Sequence, residues 1–184
     1  MFTTLRASSD DIVIQVLRGE PEAGFDCGRD AQNRFFYDWA WRDFQAQVTV
    51  TYLYYVKGVL AAFAAVSMDS VSLGRRERGL DIRFQDAPAA KLAQLAVHRS
   101  FQRTGLGRRV VADVIELARE EGTRVGCRYV TLDAQPDLVG WYESQGFDYN
   151  HLRQAERILD ALMHGREPER IAVSMRFDLR EAEA

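Results

Sequence analysis

The stretch Leu95-Ala96-Val97-His98-Arg99-Ser100-Phe101-Gln102-Arg103-Thr104-Gly105-Leu106-Gly107-Arg108 carries the clearest chemical signal in the chain. An apolar strand-like run leads into a tight turn, and the turn opens an amphipathic helix. Gly105 and Gly107 remove side chains where the backbone must turn sharply or come close to a ligand. The first N–H groups of a helix have no partner inside it and sit at the positive end of its dipole, so such a turn is suited to holding a phosphate. Arg103 and Arg108 can add charge-assisted hydrogen bonds. The turn is not a nucleoside-triphosphate P-loop, because no Lys-Ser/Thr pair follows the second glycine. It is not the dinucleotide fingerprint G-x-G-x-x-G either, because Val110 stands where the third glycine would be.

The elements that must position this turn can be read from the periodicity. A short strand is expected over Phe2 to Ala7. Ser9-Asp10-Asp11 reads as the cap of a helix through Ile12 to Leu17, stopped by Gly19. A loop with Pro21, Gly24 and Gly28 precedes a helix over Asp30 to Gln45, whose Phe35, Trp39 and Phe44 suit core packing. Val48 to Lys57 and Val59 to Ser67 flank Gly58 as a hairpin. Met68 to Ala90 reads as a long charged connection, and Leu92 to Val97 as a strand. A helix over Arg108 to Glu121 then carries Val110, Val111, Val114, Ile115 and Ala118 at helical spacing. Tyr129 to Leu132 is a strand, Pro136 starts a helix that runs to about Gln145, and Phe147 to Leu152 is a short strand. Gln154 to His164 is helical, and Ile171 to Leu179 alternates as a terminal strand. Strands and helices therefore mix around an early antiparallel hairpin and a central strand–helix–strand unit, which predicts an α/β or α+β sheet with helices on both faces.

Composition narrows the function classes. The 184 residues suit one domain over 1–184, with 47% hydrophobic and 28% charged residues in a globular balance. A net charge of -3 excludes a general cationic coat for nucleic acid. Within Val71 to Arg109, however, the charge sums to +6 and the remainder to -9, so a local phosphate-binding stretch stays open. Cys27 and Cys127 are too few for a disulfide framework and lack zinc-ligand spacing, which points to reduced thiols in the cytoplasm. No run of about 18 apolar residues is present and the N-terminus lacks the pattern of a signal peptide, so no membrane association is expected.

Gln102-Arg103-Thr104-Gly105-Leu106-Gly107 resembles the acetyl-CoA-binding motif Q/R-x-x-G-x-G/A of the GNAT superfamily of N-acetyltransferases. A second stretch supports the likeness: Tyr129 to Ala134 precedes Leu138-Val139-Gly140-Trp141-Tyr142-Glu143-Ser144-Gln145-Gly146-Phe147, similar to the family's next strand and helix. The likeness runs from about Lys91 to Phe147. It implies a GNAT-like central mixed β-sheet flanked by helices on both faces, with a helical insertion from Arg153 to Arg170 before the last strand. It further implies that Gln102, Arg103, Thr104, Gly105, Leu106, Gly107 and Arg108 hold the pyrophosphate of coenzyme A. Leu95, Ala96 and Val97 would line its acetyl-pantetheine arm by strand addition. Tyr142 matches the family's general acid; a phenol, ordinarily near pKa ~10, can protonate the departing thiolate.

The expected activity is acetyl transfer from acetyl-CoA to a primary amine by direct attack in a ternary complex. The acceptor stays open among a small molecule, a protein and a charged tRNA. No acid lies on the strand Leu92 to Val97, where some members carry a basic Glu and this chain has Gln94; Asp133 and His98 are the candidate bases. An α-amino group, at about 8, needs less help than a lysine at about 10.4. Cys27 and Cys127 have no adjacent His–acid pair, so a covalent route is not favoured. Gly24-Phe25-Asp26-Cys27-Gly28 with Asn33-Arg34-Phe35-Phe36 resembles a GNAT subgroup that includes toxins acetylating aminoacyl-tRNA, although Gln94 replaces that subgroup's usual Arg. A non-catalytic acyl-CoA-binding module is the rival from another class. The aromatic hairpin or the terminal strand would suit a homodimer edge.

Overall fold

The computed structural model describes residues 12–78, 83–166 and 172–180, so the strand expected over Phe2 to Ala7 lies outside the described residues. Among the described residues, seven strands form one mixed sheet: β1 (Ile12–Val16), β2 (Val50–Val56), β3 (Val59–Ser72), β4 (Asp86–Val97), β5 (Tyr129–Ala134), β6 (Asp148–Tyr149) and β7 (Val173–Asp178). Main-chain pairing orders them β1-β2-β3-β4-β5-β7-β6. The helices are α1 (Asp30–Arg34), α2 (Ala40–Gln45), α3 (Arg75–Arg78), α4 (Leu106–Val125), α5 (Val139–Glu143) and α6 (Leu152–Met163). This is the mixed α/β architecture that the periodicity predicts. Among the described residues, no helix is long and apolar enough to cross a membrane. The chain divides into two compact units, interleaved in sequence: 1–67 with 92–114, and 68–91 with 115–184.

In the first unit, Ile12–Val16 is a strand and not the helix that its preceding Ser-Asp-Asp suggests. Its burial alternates along Ile-Val-Ile-Gln-Val, and it pairs antiparallel with β2 from Ile12↔Val56 to Val16↔Tyr52. Three of these five residues are apolar on alternate positions and four are β-branched, which favours a pleated surface once a partner strand is present. The β2–β3 hairpin forms as expected. Its two-residue link, Lys57 and Gly58, has φ of 49° and 79°, the double left-handed geometry whose twist matches that of the flanking strands.

The helix expected over Asp30 to Gln45 is present, but a π-helical turn at Phe35–Trp39 separates α1 from α2. The wider turn shifts the helical register, a feature frequent near functional sites. Phe36 is fully buried and stacks on Phe63 of β3, with ring centroids 4.9 Å apart. Phe25, Cys27, Leu17, Leu53, Ala40 and Ala96 complete this core cluster. On α4, Asp113 is held by Arg109 at 2.8 Å, and burial pushes its carboxyl above the usual carboxylate range.

The second unit holds the ladder of β5 with β7, antiparallel from Tyr129↔Asp178 to Ala134↔Val173. Within this unit β4 pairs parallel with β5 at Ala89↔Tyr129, Ala90↔Val130 and Lys91↔Thr131. The charged connection expected over Met68 to Ala90 is more regular than its composition suggests: β3 continues to Ser72 and β4 begins at Asp86. Buried Val71, Leu73, Ala87 and Ala89 pack there with Tyr129. Ion pairs Arg128–Asp178 and Arg176–Glu77, both at 2.5 Å, brace the far end of the unit. Of the helical insertion expected from Arg153 to Arg170, residues 167–170 lie outside the described residues; α6 covers most of the rest and buries Ala155 and Ile158.

Replacing Phe36 with Ala removes a fully buried ring from the centre of the first unit's core. The expected loss is about 3–5 kcal/mol of unfolding free energy. Urea titration of the wild type and the variant measures it; a loss below about 1 kcal/mol would show that the cluster does not hold this unit together.

Candidate active site

The stretch Leu95 to Arg108 is continuous in the first unit: the end of β4, a short 3-10 turn at Arg99–Phe101, a bend, and then α4. At the end of β4, Ala96 is buried in the core cluster while Leu95 and Val97 are half-buried. The side chain of Ala96 is therefore committed to packing, leaving its main chain as what it can offer a ligand. Leu106 is also buried, and it anchors the first turn of α4.

The amides of the turn are its most distinctive feature. Among the described residues, the main-chain N–H groups of Arg103, Gly105, Leu106, Gly107 and Arg108 have no acceptor, while the Thr104 N–H closes the turn at residues 102–103; the next to be paired is that of Arg109, to the Gly105 carbonyl at 3.2 Å. Arg103 and Gly105 have φ of 62° and 91°. Left-handed residues alternating with ordinary ones turn successive N–H groups toward one side, which makes an anion-binding concavity. A Cβ on Gly105 would meet nothing within 4 Å, so glycine is needed there for its backbone angle and not for lack of room. Arg103, Thr104, Gly105 and Arg108 are exposed.

Side chains of the turn hold it in this shape. Gln102 Nε2 donates to the Cys27 carbonyl at 2.8 Å and to the Val97 carbonyl at 3.0 Å. The Gln102 N–H is directed at the Arg99 carbonyl, at 3.4 Å. Gln102 thus braces the turn, and both its side chain and its amide are engaged with protein atoms. Thr104 Oγ1 donates to the Phe101 carbonyl at 2.6 Å, closing the bend.

The opposite end of the Gln102 brace is a network that sequence reading missed. Asp26 Oδ1 accepts from the Gly28 N–H and from Asn33 Nδ2, both at 2.8 Å. Asn33 Oδ1 accepts from the Cys27 N–H at 3.0 Å and from the Cys27 thiol at 3.1 Å. The Arg99 N–H donates to the Asp26 carbonyl at 2.9 Å, and Arg99 Nε lies 3.2 Å from Asp26 Oδ2. The bond from Asn33, together with the Gly28 N–H, holds the Asp26 carboxyl below the usual carboxylate range. The pattern Asp26-Cys27-Gly28 is itself a turn signal, an Asx residue bonded to the amide two residues on. Nothing in the sequence marks Asn33 or Gln102 as its partners.

Burial pushes the Cys27 thiol above its ordinary range, and burial does the same to Cys127. Both cysteines are thus poorer thiolates than free ones. His98 Nδ1 accepts from the Ser100 N–H at 3.2 Å. Asp133, the other candidate base, lies in the second unit and is ion-paired with Lys91 at 2.8 Å.

Tyr142 also belongs to the second unit. It sits on α5 and is buried, 7% exposed. Its ring meets Trp141 and Phe147 edge-on, with centroids 4.8 Å and 5.7 Å away. The aromatic–Tyr and Gly-Phe pairs of the sequence therefore form one packed group that leaves the phenol ring little rotational freedom.

A family model described as the acetyltransferase (GNAT) family matches residues 14–147, from within β1 to the phenylalanine beside Tyr142. The chain belongs to the GNAT acetyltransferase family. It is an acyltransferase, and acetyl-CoA is its cosubstrate. No curated protein matches the chain as a relative. Among solved structures, AtaT complexed with acetyl-methionyl-tRNAfMet shares the fold at a TM-score of 0.73 and 18% identity, over 94% of this chain and 98% of that one. A mutant of KacT carrying phenylalanine in place of a tyrosine matches with a TM-score of 0.74 and 19% identity, over 95% and 98%. AtaTR bound with AcCoA matches with a TM-score of 0.71 and 18% identity, over 94% and 96%. These likenesses show the fold.

The amides from Gly105 to Arg108, without an acceptor among the described residues, suit a GNAT donor's diphosphate, and no acid lies among them. Placing valine at Gly105 demands a left-handed β-branched residue, which costs about 1–2 kcal/mol and tilts the row of amides. Calorimetry with coenzyme A is expected to show at least about tenfold weaker binding for Gly105→Val, with the far-ultraviolet spectrum unchanged. Equal affinity would remove the turn from donor binding.

Proposed function

We propose that this GNAT protein transfers an acetyl group from acetyl-CoA to a primary amine by direct attack within a ternary complex. The observation that carries the reading is the row of unpaired main-chain N–H groups at the head of α4, in a chain that belongs to this family. Acetyl-CoA supplies an activated acyl group and a thiolate leaving group. In this reading the amides of Gly105 to Arg108 bind the diphosphate. The Arg103 and Arg108 guanidinium groups add charge, and the β4 edge at Leu95, Ala96 and Val97 orients the pantetheine arm. A main-chain N–H near Val97 polarises the thioester carbonyl. Tyr142 delivers the proton that the departing sulfur takes up. The fixed ring of Tyr142 supports that assignment, because a proton donor works best when its geometry is set in advance.

A second reading takes the acceptor to be a charged tRNA, as in a toxin. The AtaT structure with acetyl-methionyl-tRNAfMet favours it at the level of fold, and the basic stretch from Val71 to Arg109 would suit a phosphate-rich partner. A cytoplasmic setting would go with either reading.

Tyr142→Phe keeps the ring packing and removes the proton. We expect kcat for thiol release to fall by about 10²-fold or more, while affinity for coenzyme A in calorimetry stays the same. An unchanged kcat would take Tyr142 out of the mechanism. Coenzyme A binding without thiol release, across both an amine panel and charged tRNA, would leave the protein as a non-catalytic module. Mass spectrometry of the reaction mixture names the acetylated product.

A further inference from the structure

A cleft of about 570 Å³ opens in the first unit, bounded by the loop from Leu17 to Phe25, the β2–β3 hairpin and His98. Its floor is apolar: Phe25, Phe36 and Leu53 are buried there, and Leu60 adds a half-buried wall. Its polar lining is unequal in sign. Glu20 and Glu22 are both exposed at it, and neither is ion-paired among the described residues. Arg18 also borders the cleft, with its guanidinium over the Phe44 ring at 5.7 Å. Tyr55 lines the same space. Burial pushes its phenol up, with the Glu22 charge adding to the effect, so it stays an O–H group throughout the working range.

The place of the cleft in the chain matters as much as its lining. His98 follows directly on Val97, the end of the strand assigned to the donor's acyl arm. The loop that forms one wall is pinned. The Phe25 N–H donates to the Tyr37 hydroxyl and the Tyr37 O–H donates to the Phe25 carbonyl, both at 2.8 Å. One residue on, Asp26 joins the network that Gln102 shares with the donor turn. The cleft is thus a pre-formed space fixed to the same framework as the donor turn.

We infer that this cleft binds the acceptor as a primary ammonium on an apolar body, with Glu20 and Glu22 holding the charge and the floor of Phe25, Phe36, Leu53 and Leu60 taking the body. This deepens the acetyltransferase reading and rests on it. The argument is one of complementarity. An apolar floor selects by size and shape and gains roughly 25 cal/mol per Å² of surface removed from water. Two carboxylates at its rim favour a cation and repel a phosphate-dense chain. A free amine or a peptide N-terminus that ends in an apolar side chain meets both conditions. The body of an RNA does not.

The test uses 2-phenylethylamine as probe and 2-phenylethanol as its neutral counterpart. Each is titrated by calorimetry into the full chain without donor, so that binding is read apart from catalysis. The amine is expected to bind at least about tenfold tighter than the alcohol, and Glu20→Gln/Glu22→Gln is expected to erase that preference. Because both positions are exposed, the double variant should keep the wild-type melting temperature and its affinity for coenzyme A. In thiol-release assays its KM for the amine should rise about tenfold with kcat within about twofold. Equal binding of amine and alcohol, no binding of either, or a preference that survives the double variant overturns the assignment of the cleft. Acetylation of charged tRNA with no turnover of free apolar amines overturns it as well, yet leaves the acetyltransferase reading standing. Loss of coenzyme A binding in the wild type would instead defeat the reading beneath it.

Discussion

The main-chain N–H groups from Gly105 to Arg108 are left without an acceptor among the described residues. An exposed turn ordinarily closes on itself, and each amide that finds a carbonyl is one fewer for a ligand. Left-handed backbone at Arg103 and Gly105 turns successive amides outward. Arg103 is a non-glycine residue in a region that costs about 1–2 kcal/mol, so something must hold it there. The holding is done by neighbours whose own bonds are complete: Gln102 to the Cys27 and Val97 carbonyls, and Thr104 to the Phe101 carbonyl.

That brace ties two parts of the first unit together. The donor turn follows β4, whereas Asp26, Cys27 and Asn33 lie in and just after the loop between β1 and α1. They meet through the Arg99 amide on the Asp26 carbonyl and through Gln102 on the Cys27 carbonyl. Each bond contributes only about 1 kcal/mol net, and the exposed Arg99–Asp26 ion pair contributes less. Their importance is geometric. A displacement of that loop is passed to the turn through short bonds and not through a flexible linker.

In the second unit the same economy of motion is achieved by packing. Tyr142 lies between Trp141 and Phe147, and Phe147 meets Phe177 with centroids 5.6 Å apart. A phenol held by aromatic edges keeps its rotamer without needing a hydrogen bond to the hydroxyl for that purpose. Lys91 and Asp133 offer each other a partner in the same unit, which lowers the cost of placing both on half-buried strands.

Much of the fold was legible because periodicity is a local property. The hairpin around Gly58, the long α4 helix and the helical insertion followed from alternation and from helical spacing. The turn at Gly105 followed from its glycines and its place between strand and helix. Ile12–Val16 was misread as a helix because a capping signal preceded it, and only the ladder with β2 made it a strand. The π-turn at Phe35–Trp39 and the full length of β4 were equally invisible, since each depends on what packs alongside. For the candidate site, the sequence by itself singled out the turn at Gly105 and Tyr142, residues whose types and spacing are bound to one stretch of backbone. Tertiary structure alone decided that Gln102 braces Cys27 across 75 positions and that Asn33 completes the Asp26 turn. It alone decided that Glu20, Glu22 and Tyr55 border one cleft, because hydrogen bonds and charge act through space and leave no period in the chain.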